Sequence, residues 1–364
     1  MNLFKITKRA DLPKKYDIII RVLAIIGAII ASGVVILCLG LNPFSVFGNM
    51  VYGALGSDLR IAQTITKAIP LIIASLGIMV AFKMKFWNIG GEGQIMMGAF
   101  AASYVALNFA YLPKPILLIT MAVVAMIAGG LWALIPAIFK AKMGTNETIF
   151  TLMLNYVAIK FVTYLQYGPW KDPNSQGFPK IADFDPNAVL PSLFGVNIGW
   201  IVAILLLVIM YFFMNHTKKG YEISVVGESL PTAKYAGMNI SSIIITSMFL
   251  SGGLCGLTGM IQASAIEKTL TCTLSNGIGF TAIITAWLGR LNPVGILVAC
   301  LAFAVMLQGG AYIQISMQIP AAVADMIQGI ILFFVLGSDF FLSYKLSFNG
   351  LGGLKGRFSR KGVN

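Results

Sequence analysis

The stretch 86–100, FWNIGGEGQIMMGAF, decides how this chain is read. PLIIASLGIMVAF runs before it and AASYVALNFAYL after it, both long and apolar. Within it, NIGGEGQ at 88–94 sets an Asn, three glycines, a Glu and a Gln into the hydrophobic sequence. What that break means depends on the medium in which the chain folds.

The 364 residues are 58% apolar and only 11% charged, against about 25% charged in soluble domains. A membrane crossing needs about 20 apolar residues. Runs of that kind recur at 22–42, 62–82, 94–112, 115–139, 149–167, 196–214, 239–265, 277–290, 293–315 and 320–342. Segment 277–290 is short for a full crossing and is expected either to cross or to re-enter from one side. Lipid offers no partner to unpaired backbone groups, so the expectation is an all-α polytopic transmembrane helical bundle of about ten segments. The alternating short segments of a β-barrel are absent from the sequence.

A net charge of +13 would suit a nucleic-acid binder, but its distribution points to a bilayer. With the N-terminus in the cytosol, the outer side holds only Arg60, Lys67, Lys114, Lys171, Lys180 and Lys268, and Lys160 lies within a span. The remaining basic residues fall inside, which sets both termini in the cytosol. The expected organisation is a basic cytosolic N-terminus 1–21, a permease-like membrane domain 22–342 with a cytosolic loop 215–238 and an external loop 168–195, and a basic cytosolic C-terminus 343–364. The first span is longer than a signal-peptide core and is expected to be retained. Cys38, Cys255, Cys272 and Cys300 have no spacing that suggests a metal site or a disulfide framework.

No G-x-x-x-x-G-K-[ST] phosphate loop occurs, GGEG at 90–93 is not a dinucleotide fingerprint, and no nucleophile elbow or H-E-x-x-H is present. His216, beside Lys218 and Lys219, reads as a solvated loop residue. No catalytic residue, metal or cofactor is therefore expected in this chain. An ion-coupled secondary transporter of a small polar solute is the alternative. Carriers of that kind keep ionisable groups in the membrane, where Lys160, Glu92, Glu147 and Asp325 are the candidates here.

The loop HTKKGYEISVVGESLPTAKYAGMN at 216–239 carries helix punctuation. Ser229 suits an N-cap, Pro231 the first turn and Gly237 a left-handed stop. The helix so defined has about two turns, too few to persist alone in water. It must lie against its own bundle or against a cytosolic partner.

GESLPTAKYAGMN at 227–239 and SGGLCGLTGMIQ at 251–262 resemble the coupling-loop region of ABC importer permeases of the ribose and branched-chain amino acid superfamily. FWNIGGEGQIMMGA (86–99), NETIFTLMLNYVA (146–158), GPWKDPNSQGFP (168–179) and AWLGRLNPVGI (286–296) are similar to its nucleoside branch, associated with basic membrane lipoproteins. Ser229 and Thr232 stand where the family more often has Asn and Ala, and Trp287 where Leu is commoner. The resemblance implies a bacterial cytoplasmic-membrane permease subunit that imports a nucleoside or related simple sugar by alternating access. Its implied partners are a cytosolic ABC ATPase (which holds the ATP and Mg), a second permease subunit, same or related, and an extracytoplasmic substrate-binding lipoprotein. Glu228, Ser229, Ala233, Tyr235 and Gly237 then map to the coupling region.

Irregular backbone at membrane depth is tolerated when buried in protein or lining a wet cavity. Asn88, Glu92 and Gln94 at the first break are therefore read in two ways. Either they form a capped helix start, with Glu92 serving the first donors of the following span, or they line the translocation path. Asn146 and Glu147 read as an N-cap with an acidic first turn, and Asn155, two turns on, as a buried amide that needs partners and is a further candidate for the path. The break AWLGRLNP at 286–293 adds Trp287 and Asn292 to the path candidates and hints at two related halves. Gly252 and Gly256, a G-x-x-x-G, read as helix packing.

Overall fold

The computed structural model describes residues 4–8, 14–173, 175 and 177–348. The expected basic tails fall partly outside these, at 1–3, 9–13 and 349–364, as do Asn174 and Gln176 of the expected external loop. The chain divides into two compact units, Met1–Gly53 with Gly309–Asn364, and Ala54–Gln308.

The first unit begins with strand β1 (Phe4–Lys8) and helix α1 (Lys14–Cys38), followed by α2 (Pro43–Leu55), which continues into the second unit. Sequence reading expected a span over 22–42 and assigned nothing to 43–55. The span ends at Cys38, and the chain bends by 115° between Val22–Cys38 and the further helix Pro43–Leu55. Gly40 takes a left-handed φ of +76°. Asn42 Oδ1 then accepts from Phe44 N at 3.0 Å, capping α2 just before its Pro. Together these stop one helix and start the next.

The second unit holds α3 (Asp58–Lys83), α4 (Gly91–Asn108), α5 (Lys114–Met143) and α6 (Glu147–Tyr167). A small hairpin follows, β2 (Ser192–Leu193) with β3 (Val196–Asn197). Then come α7 (Gly199–His216), α8 (Lys218–Glu228), α9 (Leu230–Tyr235) and α10 (Ile240–Ile261), which runs on as a π-helical turn, Gln262–Glu267. α11 (Ile278–Leu288) precedes α12 (Pro293–Ser316), which passes into the first unit. There α13 (Ala321–Ser343) packs along α1, and β4 (Tyr344–Phe348) pairs antiparallel with β1, Phe4 opposite Phe348. Ile36, Val46, Met50, Ile313, Ile319 and Ile327 form this unit's core.

Each of the ten expected apolar segments contains helix. By length and composition, seven helices among the described residues suffice to cross a membrane, or eight if the bent α1–α2 pair is one span. The protein is an all-α polytopic membrane bundle. α4 falls short because Gly91, Glu92, Gly93 and Gln94 occupy its first turn. α11 has 11 residues, a rise of about 16 Å against a hydrocarbon core of about 30 Å.

α3, α4, α5 and α10 make the centre of the second unit, joined where side chains vanish. A Cβ on Gly256 would strike the carbonyl of Ala125, one on Gly98 the backbone of Gly256, and one on Gly252 the carbonyl of Gly129. Backbones that approach this closely gain dispersion contacts that lipid cannot offer. The G-x-x-x-G of α10 thus seats on α5 and α4. The loop 168–195 folds onto the end of the bundle. Thr269 Oγ1 donates to the carbonyl of Ile181 at 3.0 Å, and Ser264 Oγ to that of Ala188 at 2.5 Å. His216 ends α7 as an exposed helical residue rather than a loop residue.

Candidate functional site

The break after α3 is closed by a buried polar network. Lys85 turns left-handed (φ +58°), and Phe86 N returns to Ala81 O at 3.0 Å. Asn88 Oδ1 accepts from Gly90 N at 3.1 Å and from Gln94 Nε2 at 2.9 Å. Its Nδ2 donates to Gln94 Oε1 and to Ser251 Oγ of α10, each at 3.2 Å. Asn155 of α6 serves the same segment from the other side. Its Oδ1 accepts from Gly93 N and its Nδ2 donates to Ile89 O, each at 2.8 Å. Thr151 Oγ1 accepts from Ile89 N at 3.2 Å.

Glu92 departs from expectation. It does not cap the start of its own helix, where Asn155 already accepts from Gly93 N and Gly90 O from Gln94 N. Its carboxylate instead spans to the N-terminus of α11, accepting from Gly277 N at 2.8 Å and Gly279 N at 2.7 Å. A Cβ on Gly279 would collide with the Glu92 backbone, so glycine is what lets the two segments meet. A carboxylate at a helix N-terminus meets both the free donors and the favourable end of the helix dipole.

Asn88, Gln94, Asn155 and Glu92 are all buried. Their polar atoms are turned into protein, as buried amides and carboxylates require. The structure therefore gives all four scaffolding contacts that tie α3, α4, α6, α10 and α11 together.

At the second break Arg290 and Leu291 are both left-handed (φ +54° and +51°). Asn292 Oδ1 then accepts from Val294 N at 3.0 Å, capping α12. Trp287 stacks on Trp87, ring centroids 5.8 Å apart at 28°, and both lean on Phe82. Both indoles are partly exposed, so an aromatic face sits where the two breaks meet.

The 216–239 region contains two helices where sequence reading expected one. Thr217 accepts from Gly220 N and starts α8, which sequence analysis left unassigned. Ser229 then caps α9, accepting from Thr232 N at 3.4 Å, while the two hydroxyls meet at 2.8 Å. Pro231 lies in the first turn and Gly237 is left-handed at φ +71°. Tyr235 is 97% exposed and Glu228 and Gly237 are exposed, but Ala233 is fully buried. Ala233 thus turns inward, on the side of α9 away from the exposed Tyr235. An isolated six-residue helix needs such a seat. α8 docks on the end of α3, where a Cβ on Gly227 would overlap the carbonyl of Lys83. A cavity of about 440 Å³ opens there, lined by Phe86, Lys140, Glu147, Val226, Ser229 and Pro231 among others. Lys140 and Glu147 pair across its wall at 2.8 Å. Asn146 caps α6 beside this pair, accepting from Thr148 N and Ile149 N.

Ser251, Thr151, Gly227 and Gly279 were not singled out from sequence. Each is a small residue whose role exists only through a partner far along the chain. Among the described residues no group of three or more His, Cys, Asp or Glu is placed to hold a metal ion.

Comparison with known proteins accords with this architecture. The family model described as branched-chain amino acid transport system / permease component matches residues 60–336. The chain is 33% identical to a glucose ABC transporter permease protein of Haloferax volcanii, over 89% of this chain and 88% of the relative. It is 32% identical to a guanosine ABC transporter permease protein of Bacillus subtilis, over 95% and 98%. It is 31% identical to a nucleoside ABC transporter permease protein of Lactococcus lactis, over 88% and 91%. No solved structure matches. The match sets aside the ion-coupled carrier: the chain belongs to the branched-chain amino acid transport system permease family, the membrane-spanning subunits of ABC-type importers.

Proposed function

We propose that the chain imports nucleosides by alternating access, driven by a separate ATPase that docks on α8 and α9. The observation that carries the substrate reading is the full-length similarity to guanosine and nucleoside permeases of two organisms. A hexose is the second reading, favoured by the glucose permease relative. Glu228, Ser229, Tyr235 and Gly237 form the ATPase-facing surface. Gly227 carries its motion to Lys83 and from there to the break at Lys85–Gly90 and the Trp87–Trp287 stack. Trp287 borders the solute path, whereas Asn88, Glu92, Gln94 and Asn155 hold its frame.

The other partners are a second permease subunit, identical or related, and an extracytoplasmic binding lipoprotein. The distribution of basic residues supports a bacterial cytoplasmic-membrane location with both termini and the 215–238 loop in the cytosol and the 168–195 loop outside. The antiparallel pairing of β1 with β4 supports one side for both ends of the chain. Ten membrane segments remain the topology we favour, with α4 shielded by its neighbours and α11 re-entrant. The left-handed turns and tryptophans at the two breaks support two related halves.

The test is uptake of labelled guanosine and glucose by cells carrying the complete transporter. Guanosine uptake that vanishes with an ATPase disabled in its phosphate loop, and that nucleosides but not glucose inhibit, is expected. Glucose uptake without nucleoside uptake would reverse the substrate assignment. Uptake that survives loss of the ATPase would end the importer mechanism.

A further inference from the structure

α6 has an exposed face unlike its neighbours'. In mid-span α5 exposes Ile119, Val123, Ile127 and Leu131, and α7 exposes Ile204, Leu205, Val208 and Ile209. These are aliphatic, as a lipid-facing surface should be. α6 exposes, beside Ile149 and Val157, a stripe of Met153, Tyr156, Lys160, Tyr164 and Tyr167 spaced three or four apart. Among the described residues Tyr156, Lys160 and Tyr164 have no hydrogen-bond or ion-pair partner.

Lys160 lies thirteen residues from Glu147 and seven from Tyr167, about 20 Å and 10 Å from the helix ends at 1.5 Å per residue. Helical side chains lean toward the N-terminus, so its ammonium is carried toward the middle of the span and away from the nearer end. A lysine held there against lipid is strongly disfavoured, and such residues face protein or water. Beside it an aromatic ladder crosses from α6 to α4. Phe161 meets Phe100 edge-on at 5.0 Å, Phe100 stacks on Trp170 at 5.3 Å and 28°, and Tyr104 stacks on Trp170 at 6.2 Å. The wall so formed offers flat rings, phenol hydroxyls and one cation.

We propose that this face of α6 is a wall of the solute path, and that Lys160 donates hydrogen bonds to acceptor atoms of the passing solute. The path then favours neutral or anionic ring-bearing solutes with exposed oxygen or nitrogen acceptors and repels cationic ones. The inference rests on the importer reading above and deepens it. A nucleoside, with an aromatic base for the ladder and ring acceptors and hydroxyls for Lys160 and the tyrosines, has the matching chemistry.

The experiment uses the complete transporter in membranes, with Cys38 and Cys272 changed to Ser. Tyr156→Cys and Tyr164→Cys are exposed to membrane-impermeant methanethiosulfonates, one anionic and one cationic, with Val123→Cys and Ile204→Cys as lipid-facing controls. Both α6 positions should react at least about tenfold faster than the controls, as wet residues do. The anionic reagent should be favoured, and Lys160→Met should erase that preference. Lys160→Met should lower guanosine uptake about tenfold while Lys160→Arg retains it, since Arg keeps the charge and the donors.

Failure of both α6 positions to react in the assembled transporter would overturn the proposal, whether lipid or a second permease covers the face. Unchanged uptake in Lys160→Met would overturn it equally. Labelling requires no particular cargo: a reactive, charge-sensitive α6 face without nucleoside uptake would uphold the path and refute the substrate assignment.

Discussion

Glu92→Gln tests whether the buried carboxylate is a structural clamp or a solute contact. The substitution preserves shape, so only hydrogen-bonding and charge change. Glu92 accepts from Gly277 N at 2.8 Å and Gly279 N at 2.7 Å while 3% exposed. A glutamine keeps one acceptor oxygen and turns an amino group toward the other N–H. One buried donor is then unsatisfied, about 1–3 kcal/mol, and the surviving bond loses charge assistance, about 1 kcal/mol. The sum is about 2–4 kcal/mol, or a fall in melting temperature of about 4–8 °C at roughly 2 °C per kcal/mol.

The assay is thermal loss of the monodisperse protein in mild detergent, paired with uptake by the full transporter well below the melting point. The clamp reading expects a lower melting temperature with uptake largely kept at low temperature. A variant that melts within about 1 °C of the parent yet transports nothing would refute this reasoning and return Glu92 to the translocation path.

Two further substitutions probe coupling and packing. Gly237→Val places a β-branched residue at φ +71° with open space around it, so about 1–2 kcal/mol of backbone strain falls on the end of α9 alone. Uptake per ATP hydrolysed should drop severalfold with insertion kept and melting lowered by no more than about 2–4 °C, Gly237→Asn should be nearly silent, and full coupling in the valine variant would count against the docking role. Gly256→Ala drives a methyl into the Ala125 carbonyl and forces α10 away from α5. A loss of about 1–3 kcal/mol should appear as a lower melting temperature, and an unshifted melt would mean that this contact is looser than the structure has it.

The helices were legible because apolar length and the residues that punctuate helices are local signals. Ser229, Pro231 and Gly237 bracket α9 as their chemistry dictates, and Asn146 caps α6. α2 was missed although Gly40, Asn42 and Pro43 spell the turn before it, because its 13 residues are too few for a crossing and are interrupted by Ser45, Gly48, Asn49 and Gly53. α8 was missed because its residues Lys218–Glu228 carry little apolar content and its seat depends on Gly227 meeting Lys83, a contact far along the chain. For Glu92 sequence reading offered only the nearest helix start or the solute path, because sequence shows only neighbours. The donors it serves, at Gly277 and Gly279, are 185 and 187 residues away.

The same contrast separates scaffold from path. Asn88, Gln94 and Glu92 sit at a helix break, where irregular backbone leaves N–H and C=O groups without helical partners. Polar side chains there find unsatisfied backbone or one another within reach, and Asn88 spends both its donors and its acceptor oxygen in this way. Lys160 and Tyr164 sit inside an unbroken helix whose backbone groups are already bonded to one another, so their polar atoms have nothing local to satisfy. In a membrane, polar groups of the first kind are explained by the fold. Those of the second kind need something the chain itself does not supply, and for a permease that is water and cargo.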